Sequence, residues 1–448
     1  MSSKEYIEVI LENAEKVHPE MSEYRQALEE FLPTIEPYID EHPELKEHNV
    51  LGLIAEPERI IKFRIPWQDD EGNWRVNMGI RVQFNSAIGP YKGGLRFDPS
   101  VTESVVRFLG FEQIFKNGLT GLPIGGGKGG ANFDPKGKSD GEIMRFCQSF
   151  MTEMQRYLGP DLDVPAGDIG VHAREIGYLY GQYKRINHNN PGVITGKPVT
   201  LNGICGRAEA TGHGAAYFVA NYLQDHDDSF EGKRVVISGT GAVGSRALEK
   251  VTELGGKVVA ISDITGYLTT EAGVDIDKIL TMVDDSSYSL KEFAQECDHG
   301  EFYEGESVWD AALNYDIAMP CATQNEINKT RAKNMVDCGI SLIAEGANMP
   351  VDIEGIATFK EAGVIHLPGK AVNAGGVAVS ALEMAQNAQR VKWSYEQTDQ
   401  ELQAIMQEIY EKCRDTSQHY LGKEDFIAGA NIAGFDTVSK AMYAQGLA

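Results

Sequence analysis

Apolar residues at the start of the chain recur every three or four positions. Tyr6, Val9, Ile10, Ala14 and Val17 follow this spacing, which is typical of a helix with one buried face. The first stretch, to about residue 50, is therefore predicted to form a set of amphipathic helices.

A different period follows this stretch. Residues 59–67 and 74–84 alternate between apolar and polar side chains, as strands with one buried face do. Residues 69–73, Asp-Asp-Glu-Gly-Asn, supply turn chemistry between them, so a β-hairpin is predicted. Helical spacing returns at 101–119 and again at 139–158. The glycine-rich stretch 122–135 is too irregular to be predicted as a helix or a strand.

The second half of the chain contains the pattern of a β-α-β unit. An apolar strand at 233–238 precedes a glycine-rich turn, a helical pattern to residue 254 and a second strand at 257–262. Such alternation predicts a parallel sheet covered by helices. The other predicted elements are a helix at 211–225, strands at 315–319, 341–345 and 363–366, and a mostly helical tail at 398–448 with a loop at about 427–434.

The turn of the β-α-β unit reads Gly-Thr-Gly-Ala-Val-Gly. Gly239 permits a tight turn, Gly241 lets the backbone approach a pyrophosphate, and Gly244 lets the helix pack closely on the strand. The helix N-terminus offers N–H groups to phosphates. Asp263, at the end of the second strand, is placed to accept hydrogen bonds from an adenosine ribose. The alternative is a glycine-rich turn without a ligand, which the strand–turn–helix context disfavours.

Composition narrows the class of protein. The 448 residues exceed the usual size of one core, so two domains are expected. With 41 basic and 66 acidic residues the formal charge is −25, which predicts repulsion from nucleic acid and anionic membranes. The chain has no apolar stretch of membrane-spanning length and no signal-peptide pattern, so a cytoplasmic location is expected. Six scattered cysteines predict free thiols and no metal site.

Three lysines stand in unusual surroundings for so acidic a chain. Lys92 and Lys128 lie among glycines, which leave the backbone open to a ligand, and Lys116 shares a helix face with Gln113. They are candidates to bind a dicarboxylate, and crowding of cations lowers lysine pKa values towards neutrality, as acid–base catalysis requires. Asp168, in a loop after a short strand, is the candidate carboxylate. The alternatives are unrelated surface lysines and an aspartate that caps a turn.

Long motifs around these residues and farther along the chain carry a family resemblance: RVQFNSAIGPYKGGLRF, FLGFEQIFKNGLTGLPIGGGKGG, MRFCQSFMTE, DVPAGDIGV, MPCATQNEI, AEGANMP, GKAVNAGGVAVSALEMAQN and GANIAGF. Through them the chain resembles the hexameric glutamate dehydrogenases of bacteria and lower eukaryotes, and the resemblance covers nearly the whole chain. The resemblance implies an α/β fold of two domains separated by a cleft, assembled as a homohexamer. It implies a substrate-binding and oligomerisation domain at 1–200, completed by a C-terminal helix at about 425–448, and a Rossmann-type NAD(P)-binding domain at 201–424.

The resemblance also implies a reaction, the reversible oxidative deamination of L-glutamate to 2-oxoglutarate and ammonium with hydride transfer to NAD(P). It implies that Lys128 is the catalytic lysine that activates water and that Asp168 shuttles protons to and from the substrate nitrogen. The implied substrate-binding residues are Lys116 and Gln113 for the α-carboxylate, Lys92 and Ser380 for the γ-carboxylate, and Arg207, Asn373 and Val377 along the cleft. The cofactor contacts expected are Thr211, Gly239, Gly241, Ala242, Val243, Gly244, Asp263, Thr323 and Asn348.

The chain departs from the family pattern beside this cleft. Residues 203–207, Gly-Ile-Cys-Gly-Arg, replace a more typical Gly-Gly-Ser-Leu-Val-Arg. His213 stands where tyrosine is common, His172 where glycine is common, and Gly244 where many members have alanine. The first departure puts the shape of the local cleft wall in question.

Two other functions stay open at this point. A leucine, valine or phenylalanine dehydrogenase keeps the lysine–aspartate pair but lacks the cations that a distal carboxylate requires, so Lys92 and Ser380 favour glutamate. A catalytically inactive regulator that binds glutamate or a nucleotide is the other alternative, and an intact Lys128 and Asp168 disfavour it.

NAD is favoured over NADP as the cofactor. A 2′-phosphate needs a cation or several donors near the end of the second strand, whereas a bare ribose is served by a carboxylate. Residues 262–265 read Ser-Asp-Ile-Thr, where NADP-preferring relatives often have Ser-Asp-Ser. Asp284 and Asp285 stand where those relatives tend to carry a lysine, and such carboxylates repel a dianionic phosphate. The overall resemblance favours NADP instead, because it is to the NADP-using biosynthetic enzymes.

Overall fold

The computed structural model describes residues 1–284, 289–295 and 300–447, which fold around two β-sheets. Helices cover both faces of each sheet, as the expected α/β fold requires. Within these described ranges, no helix is both long and apolar enough to cross a membrane.

The N-terminal half begins with the predicted helices and continues into the first sheet. Strands β1 and β2 pair antiparallel from Arg59 opposite Gln83 to Gln68 opposite Trp74, which confirms the hairpin. The elements are α1 Ser3–Val17, α2 Ser22–Phe31, α3 Glu36–Glu41, α4 Glu44–Glu47, α5 Val50–Ile54, β1 Arg59–Gln68, β2 Trp74–Asn85, β3 Tyr91–Phe97, α6 Glu103–Leu119, β4 Gly125–Ala131, α7 Asp140–Met154, β5 Asp163–Gly167 and α8 Ala173–Asn187.

The strand order of this sheet is β1-β2-β4-β3-β5. Strand β3 runs parallel to both of its neighbours, β4 and β5, so the residues that follow these strands meet at one edge. The N-terminal helices and α6 pack on one face of the sheet, and α7 and α8 pack on the other.

The prediction that residues 122–135 form no regular element was wrong, because 125–131 is the buried strand β4. Helix α6 and strand β3 approach its backbone too closely for side chains. A Cβ on Gly126 would lie 2.7 Å from Cγ1 of Ile114, and a Cβ on Gly130 would lie 2.1 Å from the carbonyl oxygen of Arg96. Glycine is therefore selected here by tertiary packing, which strand propensity does not anticipate.

The second half forms a sheet of order β12-β11-β10-β6-β7-β8-β9 within the described residues. Strands β12 to β7 are parallel, and β8 and β9, which the sequence did not predict, extend the edge antiparallel. The elements are α9 Ala210–Asp225, β6 Arg234–Ser238, α10 Ala242–Glu253, β7 Lys257–Asp263, β8 Gly266–Thr270, α11 Ile276–Asp284, α12 Leu290–Gln295, β9 Gly300–Glu304, β10 Ile317–Pro320, α13 Lys329–Asp337, β11 Leu342–Ala344, α14 Ile353–Ala362, β12 Ile365–Leu367, α15 Gly369–Val372, α16 Gly375–Gln389, α17 Tyr395–Leu421 and α18 Phe426–Ala444.

The prediction of a helical tail was correct, but the prediction of a loop at about 427–434 was wrong. Those residues belong to α18, and the break between α17 and α18 lies at 422–425. The glycines of α18 allow close packing on both neighbours. A Cβ on Gly429 would lie 2.1 Å from the carbonyl oxygen of Cys413, and one on Gly434 would lie 2.9 Å from Cβ of Phe115. The tail helix therefore returns to α6, in the N-terminal half of the chain.

Candidate active site

The predicted lysine–aspartate pair meets at the parallel edge of the first sheet. Nζ of Lys128, on β4, lies 2.9 Å from Oδ2 of Asp168, which follows β5 directly. Nε of Arg96, on β3, donates to the same oxygen at 3.2 Å. Three adjacent strands thus place two cations on one carboxylate.

These neighbours fix the charge of the pair. Burial by itself raises the pKa of Asp168, but the positive charges of Lys128 and Arg96 hold that pKa well below its usual range. Burial lowers the pKa of Lys128, and Asp168 opposes this effect. The resting pair is therefore a carboxylate and an ammonium group that touch, with the proton on the lysine.

The face of α6 that looks into the cleft carries Gln113 and Lys116, as predicted. Nζ of Lys116 donates to Oδ1 of Asn348 at 2.8 Å, a contact that joins the two halves of the chain. Burial, followed by the charge of Lys128, lowers the pKa of Lys116 to about 7. Nε2 of Gln113 donates to Oδ1 of Asn117 at 2.8 Å. Nδ2 of Asn117 in turn donates to the carbonyl oxygen of Lys92, so a hydrogen bond connects this face of α6 to β3.

Lys92 has the least ordinary environment of the three lysines. Its side chain is fully buried on β3 and its Nζ has no hydrogen-bond partner. Burial, followed by the charges of Arg207 and Arg81, lowers the pKa of Lys92 far below its ordinary value. Arg207 donates from Nε to Oγ of Ser380 at 2.9 Å. A buried, unpaired amine beside these groups is suited to a negatively charged ligand.

The remaining predicted cleft residues lie on the second half of the chain. Nδ2 of Asn373 donates to Oδ1 of Asn348 at 3.0 Å, so these two amides and Lys116 form one hydrogen-bonded chain. Val377 is half-buried on α16, the helix that also carries Ser380. Thr211, on α9, lies against the same helix, because a Cβ on Gly376 would be 2.3 Å from its Oγ1.

The glycine-rich turn after β6 has the geometry that a dinucleotide requires. Gly239 has a φ of 83°, in the left-handed region that favours glycine. A Cβ on Gly244 would lie 1.8 Å from the carbonyl oxygen of Gly239, whereas a Cβ on Gly241 would meet nothing within 4 Å. Gly241 and Ala242 are exposed at the N-terminus of α10, with Val243 half-buried behind them. This open, amide-lined helix end fits a pyrophosphate.

The other predicted cofactor residues border this turn. The loop after β10, which carries exposed Thr323, contacts Gly239 through Ala322, at 3.1 Å from the position of an added Cβ. Asp263 is the last residue of β7 and accepts hydrogen bonds from the backbone N–H of Thr265 at 2.7 Å and of Leu290 at 2.9 Å.

The charge around Asp263 bears on the choice of cofactor. Oγ1 of Thr265 also donates to Asp263, at 2.6 Å, and Ile264 is 95% exposed beside it. Asp285 and the side chain of Asp284 lie outside the described residues, so that part of the charge argument stays a prediction.

Two family models match the chain. Residues 203–446 match the model described as Glutamate/Leucine/Phenylalanine/Valine dehydrogenase, and residues 57–185 match the model described as Glu/Leu/Phe/Val dehydrogenase, dimerisation domain. The first match alone covers more than half of the chain.

The chain belongs to the Glu/Leu/Phe/Val dehydrogenase family.

Relatives in this family resemble the chain over nearly its whole length. It is 49% identical to the NADP-specific glutamate dehydrogenase of Giardia intestinalis, with 95% of each chain covered. It is 47% identical to the NADP-specific glutamate dehydrogenase of Escherichia coli (98% of each covered). It is also 47% identical to the NAD-specific glutamate dehydrogenase of Porphyromonas gingivalis, with 98% and 99% covered. Among solved structures, glutamate dehydrogenase 2 of Plasmodium falciparum superposes with a TM-score of 0.94 at 47% identity, covering 100% of this chain and 98% of that one.

The departure from the family pattern at 203–207 leaves the arginine in place. Gly206 has a φ of 83°, which favours glycine, and a Cβ on Gly203 would lie 1.8 Å from the carbonyl oxygen of Lys197. The tight turn that these glycines allow still delivers Arg207 to Ser380. The departure therefore leaves the cation of the cleft wall, Arg207, in contact with Ser380.

Two residues of the site were missed by sequence reasoning. Arg96 contacts Asp168, and it shares a face of β3 with Lys92, four positions earlier, which is the signal that was available. Thr195 has a buried hydroxyl without a partner, and its backbone N–H donates to the carbonyl of Pro165, which pairs with Gly93 beside Lys92. No local pattern marks Thr195, because a long-range contact places it there.

Proposed function

We propose that the chain is a glutamate dehydrogenase, catalysing the reversible oxidative deamination of L-glutamate to 2-oxoglutarate and ammonium. The observation that carries the choice of substrate is the fully buried, unpartnered amine of Lys92, near Arg207 and Ser380. An apolar amino acid would leave this amine unpaired, whereas a γ-carboxylate would compensate its burial. Relatives at 47–49% identity that are glutamate dehydrogenases support the same conclusion.

In the proposed mechanism, Lys116 and Gln113 hold the α-carboxylate and Lys92 and Ser380 hold the γ-carboxylate. Arg207, Asn373 and Val377 form the rest of the pocket and fix Cα in one position. Positioning of this kind contributes a large share of the acceleration in such reactions.

Lys128 and Asp168 then carry out the proton transfers. NAD(P), when bound, accepts hydride from the substrate Cα or returns it there. Lys128 is placed to pass its proton to Asp168 across 2.9 Å and then, as a neutral amine, to take a proton from the water that attacks the imine carbon. Asp168 is placed to give a proton to the departing ammonia. The same steps in reverse aminate 2-oxoglutarate.

The cofactor is proposed to lie with its pyrophosphate at Gly241–Gly244 and its adenosine ribose at Asp263. Thr211 and Asn348 are proposed to contact the nicotinamide end, and Thr323 the middle of the cofactor. We propose a preference for NAD, because Asp263 and exposed Ile264 offer a 2′-phosphate no cation, and Lys291, which follows Leu290 beside Asp263, is paired with Glu304 at 2.6 Å. NADP-specific relatives are 47–49% identical to the chain and an NAD-specific relative is 47% identical, so a side-by-side titration of NADH and NADPH is the test.

The organisation of the whole chain is also a proposal. Residues 1–200 with 425–448 are proposed to form the substrate-binding and oligomerisation domain and 201–424 the NAD(P)-binding domain, in a cytoplasmic homohexamer. The return of α18 to α6 and the match to a dimerisation-domain family model support this division. Light scattering on the protein as it elutes from a size-exclusion column tests the homohexamer. A mass of about six times 49.2 kDa is expected.

The experiment that tests the activity is the change in absorbance of the reduced nicotinamide. Oxidation of NADH or NADPH in the presence of 2-oxoglutarate and ammonium is expected. No oxidation with these substrates, or faster oxidation with the 2-oxo acids of leucine, valine or phenylalanine, would contradict the proposal. A chain that binds glutamate or nucleotide without turnover would be a regulator.

A further inference from the structure

Residues 206–213, the bridging segment, carry two of the proposed binding groups within a short stretch of chain. Arg207, near its start, donates from Nε to Oγ of Ser380 in the substrate pocket. Thr211, in the first turn of α9, is proposed to contact the nicotinamide. The conformation of the bridging segment therefore determines where a substrate group and a cofactor group lie relative to each other.

Tyr395, the first residue of α17, contacts both ends of the bridging segment. At one end its ring lies against Gly206, because a Cβ added to Gly206 would be 3.6 Å from Cδ2 of the ring. Gly206 has a φ of 83°, a conformation that a residue with a side chain rarely adopts. At the other end the hydroxyl of Tyr395 lies 3.3 Å from Nδ1 of His213. One side chain thus spans the bridging segment.

His213 fixes the direction of that hydrogen bond. It is buried, and burial lowers its pKa, so the ring is neutral at pH 7. Its Nε2 lies 3.0 Å from Oε2 of Glu249, and a carboxylate only accepts, so Nε2 carries the proton. Nδ1 is then a lone pair, which accepts from the hydroxyl of Tyr395. Because Glu249 lies on α10, the same ring connects the bridging segment to the helix after the dinucleotide turn.

The end of the bridging segment also packs directly on the first turn of α10. A Cβ on Gly212 would lie 2.5 Å from the carbonyl oxygen of Val243, so the two helices approach too closely for a side chain between them. His213, the next residue, hydrogen bonds with α10 on one side and with α17 on the other. The segment is therefore held by contacts with both helices.

We propose that His213 and Tyr395 are positioning residues, which hold the bridging segment so that Arg207 stays at the substrate pocket and Thr211 at the nicotinamide side. This inference rests on the proposed function. Tyr395 acts on Arg207 through the backbone of Gly206, and His213 acts on Thr211 through the first turn of α9. Neither role requires contact with a substrate.

Two of the departures from the family pattern meet in this arrangement. Gly206 belongs to the departure at 203–207, and His213 stands where tyrosine is common. Tyr395 contacts both of them, by its ring and by its hydroxyl. The turn at Gly206 and the histidine therefore form one unit, built from residues in which this chain differs from the family pattern.

The test removes the hydrogen bond and keeps the ring. Tyr395→Phe keeps the contact with Gly206 and loses the hydroxyl, His213→Leu loses the acceptor, and the double variant loses both partners. Tyr217→Phe is the matched control, because Tyr217 also connects α9 to α17, by a hydrogen bond of 2.8 Å to Asp399, one turn after His213. The measurements in the direction of amination are kcat and KM for 2-oxoglutarate, reduced cofactor and ammonium. Thermal unfolding shows whether each variant is folded.

We expect Tyr395→Phe and His213→Leu each to raise KM for 2-oxoglutarate about fivefold, as the loss of one neutral hydrogen bond does, and KM for reduced cofactor in the same direction. Both kcat and KM for ammonium should change by less than about twofold, because Lys128 and Asp168 lie on the first sheet. The double variant should be no worse than the weaker single variant, since both substitutions remove the same hydrogen bond.

Three outcomes in folded variants would overturn the proposal. These are an unchanged KM for 2-oxoglutarate in the single variants, additive effects in the double variant, and an equal rise of this KM in Tyr217→Phe. A loss of kcat without a change in KM would also contradict a positioning role.

Hydrogen exchange of backbone amides distinguishes failure of this inference from failure of the proposed function. In Tyr395→Phe the amides of the bridging segment should exchange faster than in the unaltered protein and in Tyr217→Phe, with or without turnover. Tyr395 is 38% exposed, so this variant is expected to fold even if His213→Leu does not. Unchanged exchange would overturn the positioning role. If the unaltered protein does not aminate 2-oxoglutarate, the proposed function fails, and the exchange rates alone decide whether the contact holds the segment.

Discussion

Binding of 2-oxoglutarate should be coupled to protonation of Lys116. Burial and the charge of Lys128 lower the pKa of Lys116 to about 7, and a bound α-carboxylate would raise it again. The charged form is therefore the form that binds. The affinity for 2-oxoglutarate should therefore have its full value below pH 7 and fall as the pH rises above 7. The two carboxylates of 2-oxoglutarate stay ionised throughout this range.

The size of the effect follows from the fraction of Lys116 that is charged before binding. With a pKa of about 7, about nine-tenths of the molecules are charged at pH 6 and about one-tenth at pH 8. The apparent Kd is the intrinsic Kd divided by this fraction, so it should rise about tenfold between these pH values. That rise corresponds to about 1.4 kcal/mol. Lys92, whose pKa is also lowered by burial, adds to the effect in the same direction.

Calorimetric titration of 2-oxoglutarate measures both the affinity and the proton. Oxidised cofactor is present, so that no turnover occurs. At pH 8 binding should take up about one proton, which the buffer supplies. The observed binding enthalpy should therefore differ between phosphate and Tris by about the difference between their ionisation enthalpies. The Lys116→Gln variant should bind 2-oxoglutarate more weakly at pH 6, and its binding should no longer include the proton that Lys116 takes up. A Kd that stays flat from pH 6 to pH 8 without proton uptake would refute the assigned pKa or the assigned carboxylate site.

Three substitutions test the other roles. Asp168→Asn keeps the shape of the side chain but cannot shuttle a proton, so kcat should fall by roughly 10²–10⁴ with folding intact; turnover near the unaltered rate would move proton transfer elsewhere. Lys92→Leu should reduce glutamate turnover and admit apolar amino acids, and an unchanged KM for glutamate would remove Lys92 from the γ-carboxylate site. Arg96→Gln should raise the pKa of Asp168 and shift the acid limb of the deamination pH profile upwards, whereas Arg96→Lys should shift it less; identical profiles would show that Arg96 does not set this pKa.

Much of the fold was predictable where local pattern and final structure agree. The hairpin at β1 and β2 and the β-α-β unit at β6, α10 and β7 both have short-range signals, a turn sequence and a change of hydrophobic period. Strand β4 and the start of α18 were not predictable in this way. Both are rich in glycine because neighbouring backbones approach them closely, and those neighbours are distant in sequence.

The residues of the candidate site also differ in whether a local motif marks them or only a long-range contact places them. The lysines could be recognised from their glycine-rich surroundings and the dinucleotide turn from its spacing, because each is a local motif. The contact of Lys128 with Asp168 depends on the strand order β4-β3-β5, which no local pattern specifies. Thr195 was missed for the same reason, since a long-range contact places it. Arg96 had a local signal in its spacing from Lys92, but its contact with Asp168 depends on the pairing of β3 with β5.

The measurement that tests the central claim most directly is kcat/KM for L-glutamate against L-leucine, L-valine and L-phenylalanine, with NAD and NADP each in excess. The buried amine of Lys92, which has no hydrogen-bond partner, should make the pocket reject apolar amino acids, because only a carboxylate stabilises its charged form. Glutamate is therefore expected to be favoured by at least about a hundredfold with whichever cofactor is used. An apolar amino acid oxidised as well as glutamate, or no oxidation of glutamate with either cofactor, would contradict the account.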